Sequence, residues 1–282
     1  MVLLCACWGL QQVAIKFAAP EMGTILQTGL RSTISALLVI VLMLVQQKPF
    51  SLRDGTLWPG IGAGVLFAAE FLCVSVGLNL TSASRLVVFL YTAPIFTVLG
   101  LHWLVPSERL GLSQWLGILL AFVGIAIAFS TGYDATGARG SMMWGDLLGV
   151  AAAILWSATT LLIRSSTLSD AAPAKTLLYQ LVVSAILILP LALLNGEVAA
   201  AKWSATVWQS LFFQSVVVSF ASYLAWFWIL RRYLASRIAV FSFLTPLFGV
   251  AFGVLLLHEV VAVRFAVGAL MVLVGIVQVN RR

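Results

Sequence analysis

A chain of 282 residues, 62% hydrophobic, 9% charged and with a mean hydropathy of +1.10, is excluded from the soluble domains, in which about a quarter of residues carry charge. The net charge of +7 does not point to nucleic acid, because no basic cluster with interleaved aromatics is present and the cations stand at the ends of apolar stretches. A lipid bilayer is the partner this composition fits.

Apolar stretches near 20 residues long, the length needed to cross the hydrocarbon core, recur from end to end. The first is read over 2–19. It opens almost at Met1 without the basic flank of a signal peptide, so a membrane helix is expected there. Trp8, Gln11, Gln12 and Ile15 share one of its faces. The second span covers 24–45 and the third 57–79, with Glu70 near the middle of the third. The fourth (83–105) carries Tyr91 and a mid-span Pro94, and the fifth (113–130) carries Gly117 and Gly124. A polar linker over 131–144 follows. The sixth span (145–164) presents Trp156, Thr159, Thr160 and Ile163 on one face, and the seventh covers 174–194. In the eighth (207–230), Ser215, Ser219, Ser222 and Trp226 recur at steps of four, three and four, with Tyr223 adjoining. Such a stripe on an apolar helix should face water or the bundle interior. The ninth (235–257) holds Phe243 and Pro246, and the tenth (263–280) holds Gly268 and Gly275. The expected fold is an all-α membrane protein of ten transmembrane helices.

The two halves repeat. Ala83-Ser84-Arg85 returns as Ala235-Ser236-Arg237 and Pro94-Ile95-Phe96 as Pro246-Leu247-Phe248, an offset of 152. Glu108, Gly117 and Gly124 return as Glu259, Gly268 and Gly275 at 151, and Trp8 and Lys16 as Trp156 and Arg164 at 148. Duplication in an apolar chain of this length is the signature of a transporter built from two halves. Five spans is an odd number, so residues 1–130 and 145–282 are expected to insert with opposite orientation, as an inverted repeat. Even-numbered loops and the C-terminus carry ten cations, odd-numbered loops and nearby helix ends, Arg31 among them, carry six. That bias places both termini in the cytoplasm.

Candidate functional residues follow from cost. A carboxylate at mid-membrane costs about 2.5–3.5 kcal/mol on insertion scales, so Glu70 should face the interior with a partner or a proton. Three roles are open to it: binding a substrate ammonium, carrying a coupling proton, or pairing with Arg31, Arg85 or a polar side chain. Its repeat mate is Ser222. Gln11, Gln12, Thr159 and Thr160 offer amides and hydroxyls at equivalent depth, suited to a zwitterionic backbone. Trp8 and Trp156 serve either the cavity or the headgroup level. Phe71, Tyr91, Tyr223 and Phe243 complete an aromatic chamber for an aromatic or large apolar solute, or pack the bundle. Pro94 and Pro246 each remove a backbone hydrogen bond and are read as hinges or fixed kinks. Small residues in the fifth and tenth spans, including Gly111, let helices approach closely. Glu108 and Glu259 are expected at opposite membrane surfaces, as caps or in pairs with Arg109 or Arg264.

No Walker motif, metal-ligand set or His-Glu-x-x-His is present, and Cys5, Cys7 and Cys73 fit no zinc or redox spacing. No cofactor and no enzymatic activity are expected; oligomeric state is left open.

The ten spans, the two five-helix halves and the repeated Ala-Ser-Arg…Pro-x-Phe…Glu…Gly pattern resemble the drug/metabolite transporter superfamily of EamA type. The aromatic content is similar to that of the YddG-like aromatic amino-acid exporters. The resemblance implies secondary export across the bacterial inner membrane, through a cavity lined by helices one, three, four, six, eight and nine. The small-molecule substrate it implies is an amino acid, the alternative being a drug or other metabolite. The eighth and ninth spans carry no cation between Trp208 and Leu230 or between Ile238 and Leu257, which disfavours phosphorylated substrates. Residues 2–15 hold no acid, unlike the related small multidrug exporters, so simple proton antiport is not supported.

Overall fold

The computed structural model describes residues 1–47, 53–104, 111–129, 139–226 and 244–280. Every regular element among them is helical. In lipid an unpaired backbone N–H or C=O finds no water, and a helix satisfies its own. The elements are α1 (Val2–Ala18), α2 (Thr24–Val45), α3 (Leu57–Leu80), α4 (Ala83–Leu90), α5 (Ala93–Leu104), α6 (Leu112–Phe129), α7 (Arg139–Ser165) and α8 (Pro173–Leu194). They are followed by a short α9 (Glu197–Ala200), α10 (Ala205–Phe212) running into a π-helical segment (Phe213–Ser222), α11 (Leu244–Leu257) and α12 (Val263–Asn280).

Helix is present at each predicted span. Five stretches (α2, α3, α7, α8 and the α10 run) are long and apolar enough to cross a membrane, and the other spans hold shorter apolar helices. Exposed tryptophans gather at helix ends: Trp58, Trp103 and Trp115 by three of them, Trp144, Trp203 and Trp208 by others. An amphipathic ring at a helix end suits the membrane–water interface.

The halves interleave. α6 packs on α12, α2 on α8, α1 on α11, and α3 on both α7 and α8. The α6–α12 seam runs through glycines, because Gly124 faces the Gly268 carbonyl and Gly117 that of Gly275. A Cβ at any of the four would sit 2.5–2.9 Å from the facing carbonyl oxygen. Gly111 has open space around it and takes no part.

Three expectations change. The fourth span is two helices, not one kinked helix. Pro94 has no N–H for the Leu90 carbonyl; the Thr92 hydroxyl donates to the Phe89 carbonyl (2.6 Å) and the Ile95 N–H to Thr92 (2.9 Å), and α5 restarts from there. The eighth span departs from α spacing over Phe213–Ser222, yet Ser215, Ser219 and Ser222 all stay buried. π segments concentrate at functional sites. The helix of the sixth span, α7, reaches back to Arg139, inside the expected linker. Phe243, Glu108, Arg109 and Ala235-Ser236-Arg237 lie outside the described residues.

Candidate functional site

Beside the α4–α5 break, two opposite charges meet inside a ring of aromatics. Glu70 of α3 is 6% exposed and Arg31 of α2 is 0% exposed. The Arg31 guanidinium lies over the Phe71 ring, 3.9 Å from its centroid. Glu70 and Arg31 lie within each other's electrostatic reach, and Tyr223 lies within reach of both. Tyr91, at the end of α4, is close to Glu70 and Tyr223 and lies beside Thr245 of α11. Among the described residues, neither charge has a direct hydrogen bond or ion-pair partner. Each costs about 2.5–3.5 kcal/mol to place in lipid, which makes the pair the candidate site.

The aromatics stand in edge-to-face pairs. Tyr91 meets Trp156 of α7 (centroids 5.3 Å apart, 88°), and Trp8 of α1 meets Trp226 (5.6 Å, 78°). Trp8 also donates Nε1–H to the Ser222 hydroxyl at 2.9 Å, and Ser222 donates to the Val218 carbonyl. These contacts turn Trp8 and Trp156 toward other helices, whereas six tryptophans near helix ends are exposed.

Other predicted residues divide. Gln11 and Gln12 are buried at 3% each, and Gln11 Nε2 and Gln12 Oε1 lack partners. Ser219 is fully buried with a free hydroxyl. The Thr159 and Thr160 hydroxyls instead donate to the Leu155 and Trp156 carbonyls (2.9 and 3.0 Å), so their donor capacity is used within their own helix. Pro94 and Pro246 stand in the first turns of α5 and of α11 as described. Arg85 is not a partner of Glu70. It forms a buried bidentate pair with Asp146 of α7 and donates to the Ala128 carbonyl (3.1 Å).

One end of the bundle is tied by a second polar set. Glu259, just beyond α11, accepts from the N–H groups of Ala83 (2.7 Å) and Ser84 (2.9 Å) and from the Ser84 hydroxyl (2.5 Å), capping α4. Its partners are therefore not Arg264 but a helix start in the other half of the chain. Lys16 of α1 senses the Glu259 charge and donates to the Thr81 carbonyl. The Thr81 hydroxyl reaches Asp146 (2.8 Å). Lys16, Thr81 and Glu259 line a cleft of about 480 Å³.

The model of the EamA-like transporter family matches residues 1–130 and 143–281. The chain belongs to that family. It is 26% identical to probable amino-acid metabolite efflux pumps of Salmonella typhimurium and Escherichia coli, over 98% of this chain and 91% of each relative. It is 23% identical to the uncharacterized transporter YoaV of Bacillus subtilis, over 95% of this chain and 91% of that protein. A crystal structure 19% identical superposes with a TM-score of 0.68, covering 98% of this chain and 94% of the other, and shares the fold. The protein is a membrane transporter.

In this EamA-family transporter Arg31 is the residue that sequence reading misplaced, by counting it with helix-end cations. It is the eighth residue of α2 and fully buried. A signal was present: Thr24, Gln27, Thr28, Arg31, Ser32 and Ser35 form a polar stripe at helical spacing, and all are buried. The eighth and ninth spans bring no cation over the stretches named above, but the second span brings Arg31, fully buried.

Proposed function

We propose that this transporter exports amino acids, with aromatic or large neutral ones favoured, by alternating access. In this reading ten helices cross the bacterial inner membrane as two inverted five-helix repeats, with both termini in the cytoplasm. The observation that carries it is Glu70. A buried carboxylate without a hydrogen-bond or ion-pair partner among the described residues, ringed by Phe71, Tyr91 and Tyr223, suits an ammonium attached to an apolar side chain. The relatives named as amino-acid metabolite efflux pumps support the same substrate class. In this reading Pro94 and Pro246 act as hinges; the helix interruption ahead of Pro94 supports this at the first, where α4 and α5 can move separately.

Counterflow in proteoliposomes tests this. Vesicles loaded with unlabelled phenylalanine receive trace labelled phenylalanine, with Glu70→Gln alongside. Transient overshoot in the wild type and its loss in the variant are expected. Overshoot absent from folded protein sinks the amino-acid assignment and leaves a drug or other metabolite exporter; overshoot retained in the variant removes Glu70 from the cycle.

A further inference from the structure

Several buried polar atoms without partners among the described residues lie on α2, at Arg31, and on the π-helical segment packed against it. Arg31 Nε, Nη1 and Nη2 all lack a hydrogen-bond partner, although a guanidinium presents five donors. It lies over the face of Phe71 and within electrostatic reach of Tyr223 and of the Glu70 carboxylate, which it does not contact as an ion pair. The π-helical segment packs against α2, and there Gln214 Oε1 and the hydroxyls of Ser215 and Ser219 are also unpartnered. Register between the two elements is held by other groups: Gln214 Nε2 donates to Gln27 Oε1 (2.8 Å) and the Ser35 hydroxyl to the Ser215 carbonyl (3.0 Å). The unpartnered atoms are thus not a sign of loose packing. They are positioned by neighbours that are themselves satisfied.

Leaving a buried donor unpaired is costly, and for a charged group more so. A site that tolerates this is completed by its ligand. The guanidinium is planar and forked, which matches a carboxylate with two parallel hydrogen bonds. We propose that Arg31 binds the carboxylate of the transported amino acid while Glu70 holds its ammonium, so that the site selects for both ends of a zwitterion. This rests on the amino-acid reading above and assigns the half of the site that Glu70 leaves undefined. The aromatic ring of Tyr91, Trp156, Trp8 and Trp226 then receives the side chain. It also explains why two opposite charges are buried near each other without closing into a salt bridge, since a direct pair would exclude the ligand.

The test uses the purified full-length protein and four probes: phenylalanine, phenylalaninamide and 2-phenylethylamine, which lack a carboxylate, and 3-phenylpropionate, which lacks the ammonium. Ligand-induced shifts in melting temperature give the affinity for each, in wild type, Arg31→Lys and Arg31→Gln. In the wild type, phenylalanine should bind about 10- to 100-fold more tightly than the amide, the range expected for losing hydrogen bonds between charged groups. Arg31→Gln should abolish that preference and the response to 3-phenylpropionate, and keep the response to 2-phenylethylamine. Arg31→Lys should retain part of it. Equal wild-type affinity for phenylalanine and its amide overturns the assignment while leaving an ammonium site at Glu70. A folded Arg31→Gln protein that still prefers phenylalanine also overturns it. No response to any of the four, with no counterflow, sinks the amino-acid reading and the Arg31 assignment with it. The wild-type series needs no substitution, so a variant that fails to fold does not decide the matter.

Discussion

The alternating access proposed above requires the end of the bundle tied by Glu259 to release, and the geometry says how strongly it is held. One carboxylate accepts three hydrogen bonds from the first turn of α4, where the helix dipole adds to the attraction. His258 precedes it with φ of 55°, a left-handed conformation uncommon outside glycine, and this turn directs Glu259 back over the helix start. Gly253 leaves room for the contact, because a Cβ there would lie 2.2 Å from the Ser84 hydroxyl and 2.6 Å from Glu259 Oε2.

Glu259→Gln keeps the length but offers one acceptor oxygen in place of two, without charge. Hydrogen bonds to a charged group contribute about 1.5–3 kcal/mol each and the helix-terminus charge about 0.3–1 kcal/mol. With one oxygen still accepting, the closed end should lose about 2–3 kcal/mol, which raises its open population about 30- to 150-fold. The assay is reaction of a membrane-impermeant maleimide with a reporter at Val87→Cys, with Cys5, Cys7 and Cys73 replaced. Val87 is fully buried one turn inside the cap, against Gly249 of α11. Labelling should quicken by at least about tenfold in Glu259→Gln. A rate unchanged in folded protein would refute the view that this carboxylate holds the end shut.

Asp146→Asn leaves the Arg85 charge buried without its carboxylate, and unfolding in detergent should show a loss of about 3–5 kcal/mol; a loss below about 1 kcal/mol contradicts that. Gly124→Val should lower Tm by driving a side chain into the Gly268 carbonyl, whereas Gly111→Ala, in open space, should leave Tm unchanged. Equal effects would remove the glycine seam from the account of α6–α12 packing. At the other end, hydrogen bonds from Lys175 and Thr56 hold the Asp54 carboxyl down to about 2. A depressed folded value means the pair stabilises fully above the ordinary aspartate range and is lost as pH falls through that range toward about 2. The Tm gap between wild type and Asp54→Asn should be constant from neutral pH to about 5 and close below about 4; a gap that persists at the acid end refutes the linkage.

Most of the span pattern was legible because hydropathy is a local property: twenty apolar residues in lipid have no choice but helix. Glu70 was legible for the same reason, as an acid in an apolar run announces its cost. The glycines of the fifth and tenth spans were also readable, although only the structure separates Gly111 from Gly117 and Gly124. The break at Tyr91–Thr92 was half legible. Pro94 announced a lost hydrogen bond, but whether a helix bends or stops depends on the contacts around it; here the Thr92 hydroxyl turns back to the Phe89 carbonyl and α5 restarts from the Ile95 N–H to Thr92 bond. Whether Thr159 and Thr160 present donors as Gln11 and Gln12 do was not legible, since a threonine hydroxyl in a helix can turn back to its own carbonyls and here both do.

By itself the sequence determined an all-helical membrane chain, its duplication and one acid that had to face inward, because each depends on the free energy of a residue against its solvent. The company that acid keeps was decided by tertiary structure. Arg31, Glu70, Tyr91 and Tyr223 lie on four different helices, and Glu259 finds its partners about 175 residues away. Such meetings follow from how the two halves interleave, and no local spacing encodes them.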